Sequence, residues 1–188
     1  MSALAVQLAV RLTHDLPVAD KRALSPARPV PLSARPCNIA TGRLTSAVVV
    51  DLIGQARIDV LLIGFAVHTE PSMTAALHEA QERGVDITLL LERHADNPAS
   101  TGSGTAFPDL IATRLAWPAS GRPEGASLHA KVLVVDGSAA LIGSANVTGA
   151  ALERNLESGL LITGGPEPSA VRGHVHSLLE LGTLRRLP

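Results

Sequence analysis

Apolar residues recur along this chain at two spacings, and the switches between them mark its elements. Val48, Val49, Leu52, Ile53 and Ala56 repeat at three- and four-residue steps, which predicts a helix over Thr45 to Arg57. Asp59 to Val67 (DVLLIGFAV) is a near-continuous apolar run, the pattern of a strand buried on both faces. Helical spacing returns at Met73, Ala76, Leu77 and Ala80, with Pro71 at the first position and Gly84 placed to cap the end. Val85 to Leu91 reads as a second buried strand. Helix, strand, helix, strand in that order predicts α/β packing around a sheet that is largely parallel in this part. His94 to Pro108 (HADNPASTGSGTAFP) is a loop by composition, expected to form a flexible rim over a site. A short helix is expected over Phe107 to Leu115, then a turn-rich connection from Trp117 to Gly125 with Arg122 and Glu124 exposed.

The alternation changes again after Leu128. Val132 to Val135 is all Val and Leu, and Ala139 to Ile142 is a second short apolar run. Asp136-Gly137-Ser138 between them is a hairpin signal. Side chains two apart on a strand share a face, so His129 and Lys131 point together and Ala130 points away. The returning strand brings Ser144 and Asn146 up beside them. Val147 to Arg154 is helical by spacing, Ser158 to Thr163 is a further strand with Glu157 at its start, and Pro166 opens a last helix running to about Leu181.

This grouping defines a chemistry. A neutral imidazole serves as nucleophile or general acid/base. A Lys ammonium and an Asn amide donate to phosphate oxygens. A carboxylate such as Glu157 holds an imidazole in one tautomer by accepting its other N–H.

His129, Lys131, Asp136, Gly143, Ser144 and Asn146 fit the pattern HxK(x)4D(x)6GSxN without a gap. The chain therefore resembles the phospholipase D superfamily, the HKD phosphodiesterases, and Thr148, Asn155 and Glu157 also stand where members commonly have them. A buried hairpin with six matching residues by accident is the less economical reading. The resemblance implies a phospholipase D-like α/β domain, a mixed β-sheet with helices on both faces. It also implies metal-independent chemistry without a cofactor. One His attacks phosphorus to give a phosphohistidine, and a second protonates the leaving oxygen and then activates water. His129 would be the reacting imidazole, with Lys131 and Asn146 cradling the phosphate, Ser144 donating a hydrogen bond and Glu157 orienting the ring. Asp136 and Gly143 would be structural. Most members carry two such motifs on one chain. Only one is present here, which implies a homodimer with the site on the two-fold axis, as in the small single-motif nucleases of the superfamily.

Composition narrows the substrate without choosing it. The formal net charge is −1, and two Phe, one Trp and no Tyr leave little for a base-stacking platform. A polynucleotide would have to be held by local Arg and Lys contacts. The one cysteine, Cys37, permits no intrachain disulfide and suits a reducing compartment. No apolar run approaches a membrane span, and Gln7 and Arg11 interrupt the Ala/Leu-rich start, so a cytoplasmic location is expected. Ser2 to Thr13 reads as a short helix that packs onto the domain rather than docking on a partner. Pro17, Pro26, Pro29, Pro31 and Pro36 make the next stretch an extended linker. The expected organisation is residues 1–40 as helix and linker and 41–188 as the catalytic domain. His68 and His94 follow strand ends, and His174 and His176 lie on the last helix; ordinary loop and surface roles are preferred for all four, since no ligand spacing supports a metal site.

Three functions follow. The first is a nuclease acting on DNA or RNA. The second is a phospholipid phosphodiesterase, against which stands the lack of an amphipathic membrane-binding helix and an aromatic belt. The third is a phosphate-binding, non-catalytic subunit of a larger complex. For that reading, LHAKVLVVDGSAALIGSANVTGAALERNLE, with Trp117-Pro118 and Arg122-Pro123 upstream, is similar to the phospholipase D-like component of bacterial DISARM antiphage systems.

Overall fold

The computed structural model describes residues 42–64, 70–98, 106–144 and 159–188. The expectations for the N-terminal helix, the Pro-rich linker, Cys37, His68 and the helix over Val147 to Arg154 lie outside these residues. Among the described residues, three α-helices, α1 (Gly42–Gln55), α2 (Pro71–Glu82) and α3 (Glu167–Glu180), pack with seven strands. The strands are β1 (Asp59–Gly64), β2 (Asp86–Leu91), β3 (Thr113–Ala116), β4 (Val132–Val135), β5 (Ala139–Gly143), β6 (Gly159–Thr163) and β7 (Arg185–Arg186). They form one mixed sheet in the order β6-β5-β4-β1-β2-β3-β7. β1, β2 and β3 run parallel; β4, β5, β6 and β7 each pair antiparallel with their neighbours.

Strand alternation divides the core in two. Val60, Leu62, Ile87, Leu89, Leu133 and Val135 pack with α1 and α2. Leu61, Ile63, Leu90, Leu115 and Val134 face the other way, against Val175 and Leu178 of α3. Both faces of the central strands are thus buried, which is why β1 and β2 read as unbroken apolar runs. The inner face predicted for α2 is the buried one, and Gly84 follows its end with φ +81°. At its start, Glu70 accepts N–H bonds from Ser72 and Met73 at 3.2 and 2.8 Å.

Expectations fail at several points between β2 and β4. Phe107 to Leu115 is not a helix: Thr113–Ala116 is β3, paired parallel to β2. The segment is instead pinned by one side chain. Arg114 donates to the carbonyls of Ala106, Phe107 and Leu110 at 2.8, 2.5 and 3.4 Å, leaving its flanks to pair with the open edge of β2. Nor is the end of the preceding loop a rim. Phe107 is 1% exposed and Leu110 4%, both inside the core beside α1 and α2. Among the described residues no helix is long and apolar enough to cross a membrane.

Candidate active site

The order of the strands places the start of β4 beside the end of β1. From β1 the chain moves outward through β2 and β3, then returns to lay β4 on the other side of β1. β4 is antiparallel to β1, so its start lies at the carboxyl end of β1, the end of the parallel strands where α/β sheets tend to place ligand sites. Val132 pairs with Ile63 at that end of β1, so the residues just before β4 stand at the carboxyl end of the parallel strands. Those residues are His129, Ala130 and Lys131.

His129 and Lys131 lie ahead of β4 rather than within it, yet their side chains meet. Lys131 Nζ is 3.1 Å from His129 Nδ1 and donates to the His129 carbonyl at 2.8 Å. An ammonium has only donors, so Nδ1 accepts and the proton of a neutral ring sits on Nε2. The Gly143 N–H donates to the Lys131 carbonyl at 3.1 Å, extending the β4–β5 ladder by one step. His129 and Ser144 are exposed and Lys131 is half-buried. His94, also exposed, follows β2 at the same end of the sheet. Asn146, Thr148, Asn155 and Glu157 lie outside the described residues.

Asp136 is at the other end of β4, in the hairpin turn. It and Gly137 both take positive φ, 53° and 60°, a pairing that Asp-Gly accommodates in a hairpin. Its carboxylate accepts from three successive amides, Arg57 at 3.0 Å, Ile58 at 2.8 Å and Asp59 at 3.0 Å. The signature acid thus fastens the α1–β1 connection to the hairpin, away from the His–Lys pair.

Sequence reasoning missed a second polar group beneath the site. Arg122, expected in solvent, is buried: its side chain is 3% exposed and that of Glu92 0%, with Nη1 to Oε1 at 2.8 Å. The guanidinium lies 4.7 Å from the centre of the Trp117 ring and donates through Nε to the Trp117 carbonyl at 2.9 Å. Glu92 Oε2 accepts the N–H of Leu128 at 2.5 Å. The acid's position directly after a buried strand was a signal, since a carboxylate there needs a cation. Which Arg would supply it was not readable from spacing, 30 residues away in sequence.

A family model described as "Cardiolipin synthase, PLD-like domain" matches residues 49–178. No curated protein matches the chain. Among solved structures it is similar to Nuc from Salmonella typhimurium, a phospholipase D family member, at 19% identity and a TM-score of 0.62, over 81% of this chain and 97% of that one. NucT from Helicobacter pylori aligns at 18% identity and a TM-score of 0.60, over 77% of this chain and 96% of that one. Phosphatidylserine synthase from Haemophilus influenzae Rd KW20 aligns at 14% identity and a TM-score of 0.59, over 77% of this chain but 37% of that one. At these identities the likeness is one of fold.

Proposed function

The chain belongs to the phospholipase D superfamily, and on that premise we propose that it is a metal-independent phosphodiesterase, a homodimeric nuclease acting on DNA or RNA through a phosphohistidine. The observation that carries this is the His129–Lys131 pair at 3.1 Å, just ahead of β4 at the carboxyl end of β1. It sets a nucleophile next to a cation of the charge a phosphate requires. The extent of the likeness favours a nuclease over a lipid enzyme. Nearly all of Nuc and NucT is covered, but little more than a third of the phosphatidylserine synthase. Compact single-motif members are the nuclease branch that the motif already resembles.

In this reading His129 of one subunit attacks phosphorus and displaces the ester oxygen. That oxygen takes its proton from His129 of the partner subunit. The second imidazole then deprotonates water, which cleaves the phosphohistidine and frees the first ring. Attack through Nε2 requires the ring proton on Nδ1, where Lys131 now donates. An arriving phosphate draws the ammonium away from Nδ1 onto its own oxygens. The ring then exchanges protons with water, losing the one on Nε2 and gaining one on Nδ1, with Glu157 as its acceptor. Lys131 and Asn146 hold the charge that grows on the phosphoryl oxygens, and Ser144 adds a donor.

The test is degradation of plasmid and single-stranded DNA, and of RNA, in EDTA by the wild-type chain and by His129→Ala. Cleavage that persists in EDTA and disappears in the variant is expected. Cleavage undiminished in a verified His129→Ala preparation removes the mechanism. Headgroup release from phospholipid vesicles with nucleic acid left intact would select a lipid phosphodiesterase. Phosphate binding without turnover would select the subunit of a larger defence complex.

A further inference from the structure

The backbone that carries His129 is not shaped by strand pairing alone. β4 begins at Val132, so His129 stands on a segment outside the ladder. What holds that segment on its N-terminal side is the Leu128 N–H, bonded at 2.5 Å to Glu92 Oε2. Glu92 is a rigid post. It follows β2 directly, its own N–H donates to the Gly64 carbonyl at 2.9 Å, and its side chain is 0% exposed. Its charge is balanced by Arg122, which bonds both carboxylate oxygens at 2.8 and 3.0 Å. Arg122 is in turn held by the Trp117 carbonyl and ring.

We propose that Glu92 is a positioning residue for the reaction: its carboxylate, squared by Arg122, sets the Leu128 amide and so the place from which His129 reaches the phosphate. This rests on the reading of His129 as the reacting group. The pair has a second consequence. Arg122 is spent on Glu92 and Trp117, so the phosphate clamp falls to Lys131 and Asn146 rather than to this nearby guanidinium. A misplacement of an attacking group by about 1 Å costs on the order of 100-fold in rate. Loss of the tether therefore acts on kcat before it acts on binding.

Two double variants separate positioning from mere stability. Glu92→Gln/Arg122→Met and Glu92→Leu/Arg122→Met both remove the two charges together, which spares the fold a lone buried ion. Only the first keeps an oxygen for the Leu128 N–H. With bis(4-nitrophenyl) phosphate as substrate, the Gln/Met protein is expected within about threefold of wild-type kcat. The Leu/Met protein should fall by roughly 10- to 100-fold at nearly constant KM. In amide exchange, Leu128 should lose protection only in the Leu/Met protein. Equal kcat in two folded doubles would overturn the proposal. Should either double fail to fold, Glu92→Asp keeps the charge for Arg122 while withdrawing the oxygen from Leu128, and an unchanged kcat there is equally fatal. A wild-type chain inactive on this ester would fail the phosphodiesterase reading alone. The His129 ring resonances then decide: they shift in Leu/Met and not in Gln/Met, or the positioning role is wrong.

Discussion

Asp136 shows how one side chain joins parts of the chain far apart in sequence. The amides of Arg57, Ile58 and Asp59 have few other partners at the junction of α1 and β1, and one carboxylate takes all three. A hydrogen bond to a charged group contributes about 1.5–3 kcal/mol, and an amide side chain keeps only one accepting oxygen. Asp136→Asn should therefore lower unfolding stability by roughly 2 kcal/mol. Asp136→Ala should cost about 1 kcal/mol more, because φ of 53° suits Asp and Asn better than Ala. Urea midpoints measure both, and kcat of the folded protein should stay near wild type. A large loss of kcat in stable Asp136→Asn would move this residue into the chemistry. The motif in the sequence announced Asp136, but not that its partners would be three backbone amides some 77–79 residues away.

Elements obeyed their own signals where the signals were local. The start of α2 is an example: Glu70 precedes Pro71, and its side chain caps the first turn. Burial pushes the Glu70 carboxyl up. The Ser72 hydroxyl and the Met73 and Ser72 amides together outweigh it, leaving the group below its ordinary 4.5. A carboxyl that holds its proton less tightly when folded stabilises the fold above its unfolded value. That contribution is lost as pH falls through the folded one. Glu70→Ala should therefore destabilise by about 1 kcal/mol at pH 7. The gap between variant and wild type should close as acid is added below pH 4.5. Thermal melts from pH 7 to pH 3 test this; a gap that stays constant would mean that the cap does not act through its charge. β3 is the opposite case. Thr113–Ala116 carries no strong strand pattern and became a strand because β2 presented an open edge to it. The two-residue β7 likewise exists only as a partner of β3.

For the whole molecule, the proposed two-imidazole reaction, with one motif in this sequence, makes the subunit count part of the chemistry. Wild-type and His129→Ala chains, unfolded together and refolded at equal amounts, should give about a quarter wild-type dimers. Activity should then fall as the square of the wild-type fraction, with light scattering reporting dimers throughout. A linear fall would mean that each chain acts alone.

The HxK(x)4D(x)6GSxN spacing determined the family, the hairpin and the candidate dyad by itself, because a motif that flanks one hairpin needs only local geometry to come together. Apolar period likewise fixed both faces of the sheet and the inner sides of α1 and α2, since burial on two faces leaves its mark on every residue of a strand. Tertiary structure alone decided the rest. Strand order put the dyad at the carboxyl end of β1, an open edge made β3, and a buried carboxylate drew Arg122 out of water. Those outcomes depend on which surfaces meet, and partners tens of residues apart leave no periodic trace in the chain.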